Sequence, residues 1–197
     1  MIAGGLASRY GGTPKGLLEV GGRRILDRVV DALTGALGTP PALVANSPDA
    51  PAWVPGLAVH ADAVPGAGSL GGVLTAVETL GAVVCVAWDM PFVPAALLRE
   101  LAAGLSAADV VIPESGSRRG LEPLCAAYGP ACGPAIRAAL SRGDQRAIGF
   151  HRDVRVSRLP AGSVLKYGDP DVLFFNVNTP DDLQHAEELC RTRDSSR

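Results

Sequence analysis

The chain has 197 residues and a formal net charge of −2, with 18 Lys and Arg against 20 Asp and Glu. This near balance argues against a nucleic-acid surface built on phosphate neutralisation and against a polybasic membrane anchor. Hydrophobic residues make up 47% and charged residues 19%, which is the composition of a globular protein and not of a disordered one. We expect one domain over residues 1–191, followed by a frayed polar tail at 192–197.

The sequence predicts neither a signal peptide nor a membrane helix. The longest apolar run, residues 82–88, is far shorter than the ~20 residues that a membrane helix needs. The four cysteines are scattered without a Cys-x-x-Cys pair, which is typical of reduced thiols and not of a metal site or a disulfide framework. We therefore expect a cytoplasmic protein with no membrane partner and no nucleic-acid partner.

Hydrophobic patterning predicts strands and helices that alternate along the chain. The first half of the chain is predicted to contain a glycine-rich loop at 1–16, a helix at 23–37, strands at 42–45 and 57–61 around a proline-rich loop at 46–55, and a glycine-rich loop at 66–72 that leads into a helix carrying Leu70, Val73, Leu74, Val77 and Leu80. The second half is predicted to contain a buried strand at 82–88, a helix at 95–105, a strand at 109–112, a polar loop at 113–120, a strand at 124–128, a helix at 130–140, and strands at 154–159 and 174–177. The alternation predicts an α/β fold with a mostly parallel central sheet.

The last helix carries a clear start signal. Thr179 suits the N-cap position, Pro180 suits the first helical position, and Asp182 completes a capping-box pattern. We expect this helix to run to about Cys190.

The opening segment, residues 3–15, combines glycines with two cations. Glycine lets successive backbone N–H groups approach an anion, and Arg9 and Lys15 add positive charge that suits phosphates. The spacing is not that of a Walker loop, because Gly16 follows Lys15, and it does not fit Gly-x-Gly-x-x-Gly. The alternative interpretation is an ordinary flexible loop.

Asp89 ends the buried strand at 82–88. A carboxylate at that end of a parallel strand is well placed to hold Mg²⁺ against phosphate oxygens, although a turn before Pro91 explains it equally well. Residues 68–72 either lie against a base or ribose or simply form a strand-to-helix turn, which is favoured when they are considered alone. Asn176 and Asn178 project to the same side if the backbone is extended, and capping leaves Asn176 without a role.

Together these segments resemble the molybdenum cofactor guanylyltransferase family, MobA, within the nucleotidyltransferases of Rossmann-like fold. The motifs that carry the resemblance are Ile2-Ala3-Gly4-Gly5, Ser8-Arg9, Gly11-Gly12, Lys15, Gly16-Leu17-Leu18-Glu19-Val20, Gly68-Ser69-Leu70-Gly71-Gly72, Asp89-Met90-Pro91-Phe92, Glu122-Pro123-Leu124 with Tyr128, and Phe175-Asn176-Val177-Asn178-Thr179-Pro180-Asp181-Asp182-Leu183. The resemblance implies a three-layer fold and transfer of GMP from GTP to the terminal phosphate of molybdopterin, with Mg²⁺ as cofactor. It also implies contact with cofactor-supplying proteins and recipient molybdoenzymes.

The resemblance also implies roles for individual residues. Lys15, Arg9 and Asp89 would be catalytic, and Asp89 would hold the metal. The nucleotide would lie against Ile2, Ala3, Gly4, Gly5, Gly12, Lys15, Asn46, Asp62 and Asp89. Asp62 would accept hydrogen bonds from guanine, and Asn176 and Asn178 would face the pterin.

Three positions depart from the family pattern. Pro14 stands where Asp is common, Ser69 stands where Pro is common, and only Met1 and Ile2 precede the Ala-Gly-Gly loop, so we expect a start upstream or a truncated first strand. Two alternatives stay open: a cytidylyltransferase acting on the same pterin, and a nucleotide-binding relative whose catalysis is weakened.

Overall fold

The computed structural model of the protein describes residues 1–3, 13–116 and 120–194. Its helices are α1 (Ile25–Leu37), α2 (Ala50–Trp53), α3 (Gly68–Leu80), α4 (Ala95–Gly104), α5 (Cys132–Ser141), α6 (Ala161–Val164), α7 (Pro170–Leu173) and α8 (Pro180–Asp194). Its strands are β1 (Glu19–Val20), β2 (Arg23–Arg24), β3 (Leu43–Val44), β4 (Val59–His60), β5 (Val83–Val86), β6 (Val110–Pro113), β7 (Cys125–Tyr128) and β8 (Val156–Leu159).

The first residues of the chain join two groups of strands into one sheet. Ile2 forms parallel bridges with Val44, in β3, and with Ala87, just after β5. The Ile2 N–H donates to the carbonyl of Val86 and the Ala3 N–H to that of Val44, both at 2.9 Å. With β3 paired to β4, and with the order β5-β7-β6-β8 on the other side, residues 1–3 lie at the centre of the sheet.

The sheet is mixed, which corrects the prediction of a mostly parallel one. Strands β3 and β4 are parallel to each other, and so are β6 and β8, but β7 runs antiparallel to both β5 and β6. The reason is the connection from β6 to β7: its described part contains an antiparallel bridge between Glu114 and Leu121 and no crossover helix. A parallel partner would require such a crossover.

Helices cover both faces of the sheet, so the predicted three layers are present. Because strand side chains alternate, Val84 and Val86 lie in one apolar cluster with α1 and α4, while Val83 and Cys85 lie in a second cluster with α3 and α5. A third, smaller cluster packs the β1–β2 hairpin against α8 through Val20, Ala186 and Cys190.

Several elements differ locally from the sequence-based expectation. The predicted loop at 46–55 contains α2, and residues 68–72 form the first turns of α3 and not a loop. Residues 174–177 form no strand, and α8 continues past the predicted end near Cys190 to Asp194. The β1–β2 hairpin was not predicted; its turn uses Gly21 and Gly22 at φ +57° and +68°, a conformation that favours glycine.

The four cysteines are buried, and none of them forms a disulfide among the described residues. Burial raises the pKa of the Cys85 thiol to about 11 and that of Cys132 to about 12. Within the described part of the chain, no helix has the length and apolar character that crossing a bilayer demands.

Candidate active site

Three residues that are far apart in the sequence meet beyond the carboxyl end of β5: Lys15, Asp89 and Asn178. The Lys15 Nζ donates a 2.7 Å hydrogen bond to the Asn178 Oδ1 and lies 3.8 Å from the Asp89 Oδ2. The side chains of Lys15 and Asp89 are each 12% exposed, so solvent screens this pair only weakly. The arrangement brings together a cation, an anion and an amide from three of the segments that the sequence singled out.

Asp89 is held by backbone contacts on two sides. It follows β5 after Trp88, whose N–H donates to the carbonyl of Ile2 at 3.1 Å, and the Asp89 carbonyl accepts a 3.0 Å bond from the N–H of Val177. Burial raises the pKa of the Asp89 carboxyl above its ordinary value, and the nearby Lys15 ammonium opposes that shift. The carboxylate is therefore poorly solvated and depends on a positive partner.

Lys15 is placed by a short turn that rests on an aromatic surface. It begins a 3-10 turn, Lys15–Leu17, which sits on the ring of Trp88. A Cβ added at Gly16 would lie 2.6 Å from the Trp88 Cε3, so glycine is required for this close approach. Trp88 in turn stacks on Trp53, with ring centroids 5.2 Å apart. These contacts fix the position of the Lys15 turn relative to the carboxyl end of β5.

Asn178 is placed by the start of α8. One carboxylate oxygen of Asp182 accepts from the N–H of Asn178 at 2.9 Å and from that of Thr179 at 2.8 Å. The Asp182 N–H donates back to the Thr179 Oγ1 at 3.2 Å, so the predicted capping box is confirmed. The Asn176 side chain instead donates to the carbonyl of Phe174 at 2.8 Å.

Asn46 and Asp62 form a second polar pair, just beyond the carboxyl ends of the adjacent strands β3 and β4. The Asn46 Nδ2 donates to the Asp62 Oδ2 at 2.7 Å, and the Asp62 N–H donates to the Asn46 Oδ1 at 2.8 Å. This reciprocal pairing fixes the plane of the Asp62 carboxylate. Its Oδ2 lies 4.0 Å from the position of a Cβ at Gly71, so the first turns of α3 lie beside the pair.

The glycines of the segment 68–72 have a packing role. A Cβ at Gly72 would lie 2.8 Å from the Cγ2 of Ile2, and one at Gly71 would lie 2.9 Å from the Cβ of Ala67. Their absence of side chains lets α3 approach the central residues of the sheet. The interpretation as a base or ribose contact remains a prediction.

The remaining predicted site residues fall into two groups. Ile2 and Ala3 lie at the centre of the sheet, where their backbone N–H groups are used for pairing with β5 and β3. Gly4, Gly5, Arg9 and Gly12 lie outside the described residues. The sequence interpretation missed the contribution of Asp182 to the site, because the capping pattern explains that residue by its helix alone.

The described residues fit a magnesium ion that is shared with substrate phosphates. Among residues 1–3, 13–116 and 120–194, no three His, Cys, Asp or Glu side chains are grouped as a metal cage. Asp89 supplies one buried carboxylate beside a charged lysine. Mg²⁺ in phosphate chemistry commonly takes only one or two protein carboxylates and completes its shell with phosphate oxygens and water.

Comparison with known proteins decides the family. The profile of the MobA-like NTP transferase domain matches residues 1–156. The chain belongs to the MobA-like NTP transferase family. This membership confirms the resemblance seen in the sequence, the Rossmann-like fold and the nucleotidyltransferase class.

Individual relatives of this MobA-like transferase match over nearly the full length. It is 32% identical to a probable molybdenum cofactor guanylyltransferase of Pelotomaculum thermopropionicum, covering 100% of this chain and 95% of the relative. It is 33% identical to a molybdenum cofactor guanylyltransferase of Desulfosudis oleivorans, covering 97% and 94%. The crystal structure of molybdopterin-guanine dinucleotide biosynthesis protein A from Archaeoglobus fulgidus matches with a TM-score of 0.80 at 26% identity, covering 97% of both chains.

Proposed function

We propose that this protein transfers GMP from GTP to the terminal phosphate of molybdopterin and releases pyrophosphate. A phosphate oxygen of the pterin forms a bond to the α-phosphorus of GTP, and the bond between that phosphorus and the β-phosphate bridging oxygen breaks. The observation that carries the proposal is the Lys15–Asp89 pair at the carboxyl edge of the sheet, where ligands bind in open α/β folds. The names of the full-length relatives support the choice of nucleotide and acceptor.

GMP transfer to a phosphate depends on positioning of the reactants and neutralisation of their charge more than on proton transfer. The attacking phosphate is already an anion near neutral pH, so no general base is required. Lys15 offsets negative charge on the α-phosphate and on the departing pyrophosphate, and Asn178 holds its ammonium in place. When bound at Asp89, Mg²⁺ would supply Lewis-acid polarisation of the α-phosphate.

Guanine selection is assigned to Asp62. Its Oδ2 accepts from Asn46, and within the described part of the chain its Oδ1 accepts no hydrogen bond. A carboxylate with an acceptor available in this way can take hydrogen bonds from the N1–H and N2–H groups of guanine, which adenine lacks. Asn46 therefore serves to orient the carboxylate. As the family resemblance implies, we assign Asn176 and Asn178 to the pterin side.

A nucleotide competition tests this function. The full chain is incubated with molybdopterin, Mg²⁺ and equal concentrations of GTP, CTP and ATP, and each dinucleotide product is quantified together with pyrophosphate. We expect GTP to be preferred by about tenfold or more, since adenine and cytosine do not offer the Asp62 carboxylate the paired N–H groups of guanine. The variant Asp62→Asn should lose much of the preference for GTP over ATP while keeping the fold.

The alternatives give different results in the same assay. Preference for CTP would establish the cytidylyltransferase, and absence of any dinucleotide product would establish a relative without transferase activity. Cofactor-supplying proteins and recipient molybdoenzymes are the partners that this reaction calls for, and the cytoplasm is the compartment that we propose for it.

A further inference from the structure

The carboxylate of Asp182 binds two successive backbone amides, one at the N-cap of α8 and one in the site residue that precedes it. Its Oδ2 accepts from the backbone N–H of Asn178 at 2.9 Å and from that of Thr179 at 2.8 Å. In an ordinary capping box, the side chain at the third helical position accepts only from the N–H of the N-cap residue. The bond to Asn178 lies one residue before the cap and adds nothing to the hydrogen bonding of the helix itself.

The extra bond fixes the residue that holds Lys15. The Asn178 Oδ1 accepts from the Lys15 Nζ at 2.7 Å, and the preceding residue, Val177, is tied to the Asp89 carbonyl at 3.0 Å and fully buried. The Asn178 backbone is therefore held from both sides, by Asp182 and by Asp89. A side chain on a backbone held in this way has little freedom to move away from Lys15.

We propose that Asp182 is a positioning residue for Lys15, acting through the Asn178 backbone to set the distance between the ammonium and Asp89. The importance of this distance for catalysis rests on the proposed function, but the positioning itself does not. Asp182 is half-buried, and among the described residues it forms no hydrogen bond with Lys15 or Asp89, so its action is indirect.

The structure offers a matched control in Thr179. The capping box has two halves: the Thr179 Oγ1 accepts from the Asp182 N–H at 3.2 Å, and the Asp182 carboxylate accepts from the Thr179 N–H. Thr179→Ala removes the first half and leaves the bond to Asn178. Asp182→Ala removes the second half together with that bond. Both variants weaken the helix start, and only one of them releases Asn178.

The first experiment measures the reactivity of Lys15 in the full chain without any substrate. The sequence contains two lysines, Lys15 and the exposed Lys166, so the acylation rate of Lys15 can be expressed relative to Lys166 by mass spectrometry. We expect this ratio to rise about fivefold in Asp182→Ala, the worth of one lost hydrogen bond, and to stay within about twofold of wild type in Thr179→Ala. Asp182→Asn keeps an acceptor oxygen and should restore most of the wild-type ratio.

Two results would overturn the proposal: an unchanged ratio in Asp182→Ala, or an equal rise in Asp182→Ala and Thr179→Ala. Should Asp182→Ala not fold, Asp182→Ser makes the same comparison, because its shorter side chain cannot reach both amides.

The second experiment measures GMP transfer by the same variants. We expect Asp182→Ala to lower kcat by about tenfold or more with a smaller effect on the KM for GTP, because a displaced lysine weakens the transition state most. Thr179→Ala should keep kcat near wild type. If the wild-type chain makes no dinucleotide, the proposed function fails while the acylation result still decides the positioning role; if Asp182→Ala keeps full kcat in an active enzyme, the positioning role fails alone.

Discussion

Asp89 lies in the candidate active site, in a buried environment that disfavours its charged form. The residue as a whole is 8% exposed, and its carboxyl has a raised pKa because burial disfavours the charged form. Lys15, at 3.8 Å, offsets part of that cost but does not abolish the shift. Buried charges that are only partly compensated are common where a protein must bind a charged ligand, since the ligand supplies the missing partner.

Replacing Asp89 by Asn should separate activity from stability. We expect Asp89→Asn to lower GMP transfer by about 10²-fold or more, because the carboxylate that would hold the metal is lost. At pH 7 the same variant should unfold at a higher denaturant concentration. The folded-state pKa lies above the ordinary value of 3.8, so ionisation of Asp89 destabilises the wild-type chain as the pH rises through that folded pKa.

Denaturant titrations of both proteins at several pH values check this. The stability difference should vanish below pH 3.8, where Asp89 is protonated in folded and unfolded chains alike. A variant that is less stable than wild type at pH 7, or that retains full activity, would contradict the assignment.

At the scale of elements, glycine at points of close approach determines how the helices and turns meet the sheet. Gly16 lets the Lys15 turn rest on Trp88, and Gly72 lets α3 approach Ile2 at the centre of the sheet. Both glycines occur in motifs that are typical of ligand-binding loops. Here the described contacts show that packing, too, requires them, because a methyl group at either position would overlap a neighbour.

Gly72→Ala should lower the free energy of unfolding by about 1–3 kcal/mol, because the added Cβ would lie 2.8 Å from the Cγ2 of Ile2. The control is Gly162→Ala in α6, where a Cβ meets nothing within 4 Å. There alanine should be neutral or stabilise by up to about 1 kcal/mol, because it restricts the unfolded chain. Urea unfolding of both variants makes the comparison. Equal effects at the two positions would show that the close approach of α3 does not matter.

At the scale of the whole molecule, the polar residues of the site lie beyond the carboxyl ends of the strands. Other titratable groups lie elsewhere in the fold and have structural roles. His151 is an example of the latter. It lies between α5 and β8, with its ring edge-on to the buried Phe150, and its Nε2 has no partner among the described residues. Burial, helped by the charge of Arg158, lowers the pKa of His151 to about 4.

This pKa predicts acid sensitivity of the fold. Between the ordinary value of 6.5 and about 4, the unfolded chain binds a proton at His151 that the folded chain does not, so stability falls as the pH decreases. Allowing for partial solvent screening, we expect a loss on the order of 1–2 kcal/mol. His151→Gln should flatten this pH dependence, measured by urea unfolding from pH 7 to pH 4. His185→Gln, on the exposed face of α8, should keep the wild-type slope, and an equal change in both variants would refute the role of His151.

Much of this molecule could be predicted from local patterns. The stripe of apolar residues predicted α1 to within two residues, and the run at 82–88 predicted β5, because periodicity and burial are local properties of a sequence. The capping box at Thr179 was predicted for the same reason. The motifs containing Lys15, Asp89 and Asn178 also identified the segments that the fold brings together.

Three features could not be predicted from local sequence patterns: the direction of β7, the packing role of Gly72, and the hydrogen bonds that connect Asp182 to Lys15 through Asn178. Each depends on contacts between residues that are distant in sequence: β7 on the path of the chain after β6, Gly72 on its approach to Ile2, and Asp182 on the meeting of α8 with the Lys15 turn. The amino-acid sequence by itself determined which segments are helical, which are buried and which carry charge. Only the tertiary structure decided which charges face each other, because the distance between two side chains depends on the path of all the chain that lies between them.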